Sequence, residues 1–306
     1  MRLSGAFFGP PENAAGSRMS LMTSAEQFLE KTEAFTARAR QLGLPDTSRF
    51  YWYHTIDLGD GLVTPGLYDY RPTLGNFHFP ENMEGMTVLD VGSATGFFAF
   101  EFERRGARVI STELPSLRDL DRFPGQSVEN SLRKIERMIF PDGLDLESMR
   151  RGDSEQELYR CLLDGPFQFC RHRLGSKVER CYSTIYDLTL EKLGVPHGFD
   201  LIFVGDVLVH TLYPLKALAA LEPLCRGQLI FAQMLPDGSQ DPPAMMYVGG
   251  GDPAEDHISW WLPNQSCLVQ MLTKLGFPVV EEVGWHSGIL HPGDHPFQRI
   301  ILRARK

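Results

Sequence analysis

The chain has 306 residues, 30 Lys and Arg against 39 Asp and Glu for a formal charge of −9, and 42% apolar residues. Such a composition builds a core and excludes wholesale disorder, which goes with few apolar residues and high net charge. The acidic balance and the scarcity of Lys disfavour nucleic acid, because phosphate-backbone affinity depends on clustered cations. No apolar run approaches the roughly 20 residues of a membrane helix. The opening residues, with Gly5, Gly9, Pro10, Pro11 and Gly16, read as a loose arm with no secretory h-region. Five scattered cysteines, Cys161, Cys170, Cys181, Cys225 and Cys267, form no Cys-x-x-Cys pair. They read as reduced thiols, so a cytoplasmic protein is expected.

In chain order, apolar positions between 24 and 42 recur at helical spacing, and Gly43 supplies a stop. The run 50–56 is aromatic and alternating, with a turn at Gly59-Asp60-Gly61, which predicts a strand or hairpin. At residue 84 the texture changes. Thr87-Val88-Leu89-Asp90-Val91 is a buried-strand signal; Gly92-Ser93-Ala94-Thr95-Gly96 is a loop of small residues. A helix from Phe97 follows, stopped by Gly106, and then a second strand ending at Glu113. Residues 117–164 are polar, with a helical patch at 132–139, and read as an insertion. The sheet pattern then resumes with a helix near 166–174, a strand at 178–182, a strand at 201–204, a helix at 215–224, a strand at 229–232 and a helix at 264–275. A closing antiparallel pair at 279–283 and 299–302 completes the chain. Strands alternating with helices predict an α/β doubly wound, mostly parallel sheet. The expected division is an arm and cap over 1–80 and a main domain over 81–306 carrying the insertion.

Small residues at a strand-to-helix turn let a ligand approach the backbone closely. A dinucleotide fingerprint, Gly-x-Gly-x-x-Gly, is the competing reading, but its second position is Ala94 and its third falls on Phe97. That spacing fails and disfavours an NAD-linked oxidoreductase. The pattern acid-x-Gly-x-small-x-Gly instead resembles motif I of class I S-adenosylmethionine-dependent methyltransferases. That resemblance implies a Rossmann-like seven-stranded sheet with an antiparallel C-terminal strand. It also implies a cofactor site at Asp90, Gly92, Ser93, Ala94 and Gly96, with Glu113 on the ribose hydroxyls and Leu114 beside it. Tyr186, Asp187 and Leu188 follow the third strand, where an acid near the adenine amine is expected. Gly205 and Asp206 close the fourth.

The run Asp206-Val207-Leu208-Val209-His210, Tyr213-Pro214-Leu215, Trp260-Trp261-Leu262-Pro263-Asn264 and the segment 52–66 resemble a narrower group. It is the group of the bacterial tRNA wobble-uridine carboxymethyl/methoxyuridine enzyme and its relatives. The similarity covers roughly 50–115 and 165–285. A carboxylated cofactor analogue and an RNA both call for positive charge, yet between Phe50 and Phe79 only Arg71 offers it. Ordinary S-adenosylmethionine, giving S-adenosylhomocysteine, and a small-molecule acceptor in specialised biosynthesis are therefore expected. A tRNA-modifying enzyme and a non-catalytic cofactor-binding protein are the alternatives, and a homodimer is compatible with the sequence.

His210, near-neutral at the carboxyl end of a strand, is the expected general base. Tyr53 and His54 are further catalytic candidates. Trp52, Tyr53, His210, Trp260 and Trp261 are candidate acceptor contacts, balanced against plain core packing. His286, His291, Asp294 and His295 do not have a regular zinc spacing and read as a solvated loop, so no metal is expected.

Overall fold

The computed structural model describes residues 23–128, 130–131, 155–251, 258–293 and 295–306. The loose arm, residues 132–154 of the insertion with the 132–139 patch, and Asp294 lie outside the described residues.

Helix α1, Ser24–Gln41, opens on a capping box: the Thr23 hydroxyl accepts from Glu26 N, and the Glu26 carboxylate accepts from Thr23 N at 2.6 Å. Its C-terminal Arg38 donates to the Asp60 carbonyl, pinning the helix to the turn at Gly59–Gly61. Of the strand or hairpin predicted from 50–56 and the turn at 59–61, the turn forms and a regular strand does not. Residues 51–58 instead fold back on 62–70 through two isolated bridges, His54 to Tyr68 and Asp57 to Val63. The Thr64 hydroxyl donates to the His54 carbonyl and accepts from Ile56 N, both at 2.7 Å. Gly66 lies against this backbone so closely that a Cβ there would meet the His54 carbonyl carbon at 2.0 Å. Side-chain bonds and that close approach replace a regular ladder.

The main sheet has the order β3-β2-β1-β4-β5-β9-β8. Its strands are β1 Thr87–Val91, β2 Arg108–Glu113, β3 Glu179–Tyr182, β4 Phe199–Gly205, β5 Cys225–Gln233, β8 Val279–Leu290 and β9 His295–Arg305. The first five are parallel; β9 runs antiparallel to both β5 and β8. This is the expected seven-stranded doubly wound sheet. The closing pair is longer than predicted because each strand extends past its apolar centre into polar sequence.

Alternate residues of β4 feed two cores. Leu201 and Phe203 face one with Phe35, Trp52, Tyr70, Phe77, Phe98 and Phe102; Ile202 and Val204 face the other with Leu221, Leu268 and Leu272. Both faces are covered, which is why the parallel strands read as continuous apolar runs. Helices α2 (Phe97–Arg104), α3 (Glu155–Tyr159) and α4 (Gly165–Leu174) follow in order, α3 leading into α4 through a π-helical turn, Arg160–Asp164. Next come α5 (Pro214–Leu221) and α6 (Gln265–Lys274), the latter capped by the Asn264 side chain. A small antiparallel pair that the sequence analysis did not predict, β6 Met245–Tyr247 and β7 Trp261–Pro263, stands beside the sheet's carboxyl edge. Among the described residues no helix is long and apolar enough to cross a membrane. None of the five cysteines forms a disulfide.

Trp52 is 5% exposed and packs edge-on against Phe35, Phe50 and Phe169 at 4.9–5.8 Å. Trp52→Ala is therefore expected to cost about 3–5 kcal/mol, the usual figure for deleting a buried aromatic. Leu215→Ala, at an exposed site, is expected to stay within about 0.5 kcal/mol. Urea denaturation checks both; near-parental stability of Trp52→Ala would contradict this packing.

Candidate active site

The carboxyl ends of β1, β2 and β4 lie side by side, because Val91 is in register with Thr112 on one side and Val204 on the other. A cavity opens at this edge. Along its first wall run Asp90, Gly92, Ser93, Ala94, Glu113, Leu114 and Tyr186. The turn after β1 is left-handed at Gly92, Ala94 and Gly96, with φ of 66°, 47° and 92°. At Ala94 this conformation is strained, since Cβ crowds the backbone there. Gly96 does not line the cavity; a Cβ there would press on Phe100 and Phe167 at 2.7 Å. Its role is to let α2 pack closely beneath the turn.

Asp90 is 2% exposed, and its Oδ2 has no hydrogen-bond partner. Burial raises its carboxyl to about 7, opposed by a backbone N–H from Ala99 and by the Arg180 charge. Glu113 accepts from Ala94 N at 2.9 Å and from Leu114 N at 3.0 Å, so each oxygen keeps a lone pair. Behind the turn, the buried Arg180 guanidinium lies 3.7 Å from Glu113, donates to the Ala94 carbonyl at 3.0 Å and stacks on Phe167. Arg180 carries no local signal in the sequence, because its place depends on β3 pairing with β2.

The far end is aromatic, with Tyr53, His54, Tyr70, Phe77, Phe98, Phe203 and His286 in its wall. His54 is 5% exposed, its Nδ1 has no partner, and burial holds it neutral, with its pKa lowered to about 3. Gly205 and Asp206 also line the cavity. Asp206 takes a left-handed φ of 50°, and its carboxylate accepts from Met234 N at 3.0 Å and from the Arg299 guanidinium. That ion pair neutralises Arg299, the one Lys or Arg among the described lining residues. His210 stands at the half-buried rim with its Nδ1 held by the Ile258 carbonyl.

Several expected contacts are corrected. Trp52 faces the core. Trp260 is fully buried, its indole N–H given to the Asp121 carbonyl, and Trp261 in β7 gives its own to the Leu212 carbonyl. None of the three lines the cavity, because the paired indoles anchor the β6–β7 unit. Asp187 is exposed and accepts from the Thr184 hydroxyl, while Leu188 sits in the second core. Ser183, Thr184, Ile185 and Tyr186 line the cavity in their stead. His286 belongs to no solvated loop: it is completely buried in β8. Among the described residues no three His, Cys, Asp or Glu converge on a common point.

A family model described as "Methyltransferase domain" matches residues 68–282. The chain belongs to this methyltransferase family, and as a class I member it is an S-adenosylmethionine-dependent enzyme. Similar solved structures include the N-terminal domain of EvdMO1 in the presence of SAH and D-fucose. It is 14% identical with a TM-score of 0.49, covering 89% of this chain and 96% of that one. Magnesium protoporphyrin IX methyltransferase from Synechocystis PCC 6803, with bound SAM, is 12% identical with a TM-score of 0.39, covering 77% of each chain. The 1,6-didemethyltoxoflavin-N1-methyltransferase of Burkholderia thailandensis is 15% identical with a TM-score of 0.42, covering 73% of this chain and 72% of that one. No curated protein matches the chain.

The Asp90 carboxyl sets a pH dependence. Its folded pKa lies above the unfolded value near 4, so its contribution is fully present below about pH 4 and lost as pH rises through 7. Asp90→Asn is thus expected to melt several degrees above the parent at pH 8 and level with it at pH 4. Scanning calorimetry of the ligand-free protein checks this; equal melting at pH 8 would contradict the buried, unpaired carboxylate.

Proposed function

We propose that this enzyme methylates a neutral small molecule, with S-adenosylmethionine held along the Asp90–Gly96 turn and the acceptor at the aromatic end of the same cavity. The observation that carries the reading is the buried Asp90 oxygen left without a partner beside a strained turn of small residues. Buried polar atoms are rarely left unpaired, and those that are mark where a ligand's donor belongs. An ammonium group fits it, since a cation beside the carboxyl favours its ionised form. Glu113 retains one lone pair on each oxygen, which suits a pair of ribose hydroxyls. Ser183, Thr184, Ile185 and Tyr186 are placed to receive the base.

When bound, the cofactor supplies an activated methyl group, so the protein's task is to align the acceptor, exclude water and take up a proton. The aromatic wall excludes water, and Tyr53 and His54 bring part of the proposed cap, residues 1–80, over the main domain's sheet edge. His210 closes the rim, its ring fixed by Ile258.

A small molecule is favoured over tRNA because Arg299 is already paired with Asp206, which leaves the described lining without an uncompensated cation for a phosphate. On this reading the likeness to the wobble-uridine group extends to the scaffold and not to its carboxylated cofactor or its acceptor. A cytoplasmic place accords with five cysteines that form no disulfide, and a role in specialised biosynthesis is part of the same proposal.

Isothermal titration with S-adenosylmethionine tests the cofactor assignment. The parent is expected to bind, and Glu113→Gln to lose about 10- to 100-fold in affinity, or 1.4–2.8 kcal/mol, as befits loss of a charged acceptor. No binding by the parent, or full affinity in Glu113→Gln, would overturn the placement. Methyl transfer to a tRNA transcript would overturn the acceptor class.

A further inference from the structure

Two strands far from motif I bring a second histidine to the cavity. His286 on β8 stands in register with Arg299 on β9, and both side chains line the acceptor end. The His286 ring lies 4.8 Å from the Tyr70 ring and 5.2 Å from that of Phe297. Its Nδ1 lies 2.7 Å from the Thr73 hydroxyl. That hydroxyl in turn directs its single proton to the Tyr70 carbonyl at 3.5 Å. With the Thr73 proton so directed, its oxygen would accept from Nδ1 and Nε2 would keep a lone pair, and this tautomer is part of the proposal below. Nε2 is buried and has no partner. His210 differs on both counts: its ring is half-buried, and its Nε2 is not an orphaned buried atom.

We propose that His286 is the catalytic proton acceptor, that Thr73 is the positioning residue fixing its tautomer, and that the acceptor is an uncharged aromatic compound reacting through a phenol-type hydroxyl. The proposal rests on the cofactor placement of the preceding section. In the step, the acceptor O–H breaks and its proton passes to Nε2. The oxygen lone pair forms the bond to the methyl carbon, and the electron pair of the S–CH₃ bond stays on sulfur.

Three observations select the acceptor class. The rings of Tyr70, Phe77 and Phe297 lie against His286, and Tyr53, Phe98 and Phe203 line the same cavity, which suits a planar guest. Arg299 is tied to Asp206, so an anionic guest has no free counter-charge. Burial and the neighbouring Arg299 charge depress the His286 imidazole to about 4, against a smaller opposing pull from Asp206. The ring is therefore neutral at pH 7, and a phenolic proton, lost near 10, lies nearer its range than that of an alkyl hydroxyl, which is closer to water at about 15.7.

The test is nitrogen NMR of the full chain labelled with nitrogen-15 histidine and saturated with S-adenosylhomocysteine, whose binding is verified by calorimetry on the same sample. The probes are phenol and catechol, with anisole as the control that lacks the O–H. At pH 7 His286 is expected as the neutral tautomer protonated at Nδ1, and its Nε2 resonance is expected to move with phenol or catechol and not with anisole. Loss of the signal in His286→Gln assigns it. Because that buried substitution can unfold the chain, a second pair decides independently. Thr73→Val is expected to mix the tautomers and weaken the response severalfold, and Thr73→Ser to restore it. An Nε2-protonated or doubly protonated ring in the parent, a response confined to His210, or silence toward both O–H probes at tens of millimolar overturns the proposal and leaves the cofactor placement standing. Absence of S-adenosylhomocysteine binding overturns both.

Discussion

The parallel pairing of β1 between β2 and β4 is the constraint on which the site depends. Because Val91 is held in register with Thr112 and Val204, the residues that follow these strands emerge at one edge. Asp90, Glu113 and Asp206 are brought together by that register, as expected where ligands bind at the carboxyl ends of an open α/β sheet. Two apolar cores keep the register. A one-residue slip of β4 would exchange Phe203 for Ile202 or Val204 between unlike faces.

Around that edge the charges are balanced in pairs. Arg180 lies behind the motif I turn against Glu113, and Arg299 closes on Asp206 across the acceptor end. Among the buried polar atoms left without a hydrogen-bond partner are Asp90 Oδ2, His54 Nδ1 and His286 Nε2. All three belong to residues lining one cavity. An orphaned buried polar atom costs about 1–3 kcal/mol, so three around one space mark a place shaped for a guest with complementary donors. The left-handed Ala94 and Asp206 add backbone strain at the same place, where function commonly stores it.

Local pattern made part of this legible. Thr87–Glu113 was readable because strand, small-residue turn, helix and strand follow one another within a few dozen residues, each with its own stop signal. The fold class and the cluster Asp90, Gly92, Ser93, Ala94 and Glu113 at one edge followed from that unit. What escaped depended on pairings between distant segments. His286 looked like part of a polar loop because its burial comes from β9, Thr73 and Tyr70. Arg180 and Arg299 carried no local signal because their partners, Glu113 and Asp206, lie in distant segments. Trp52, Trp260 and Trp261 looked like pocket walls because composition cannot say which side of an indole faces solvent. Asp187 was displaced from the cavity by a 3₁₀ turn, Ile185–Asp187, which presents Tyr186 and turns the acid outward.

A crystal structure of the protein with S-adenosylhomocysteine tests the central claim most directly. The account predicts the amino-acid end of the ligand along the Asp90–Gly96 turn, with its ammonium on Asp90 and both ribose hydroxyls on the Glu113 carboxylate. A nucleoside bound elsewhere, or one lying in this cavity with its sugar turned away from Glu113, would contradict it.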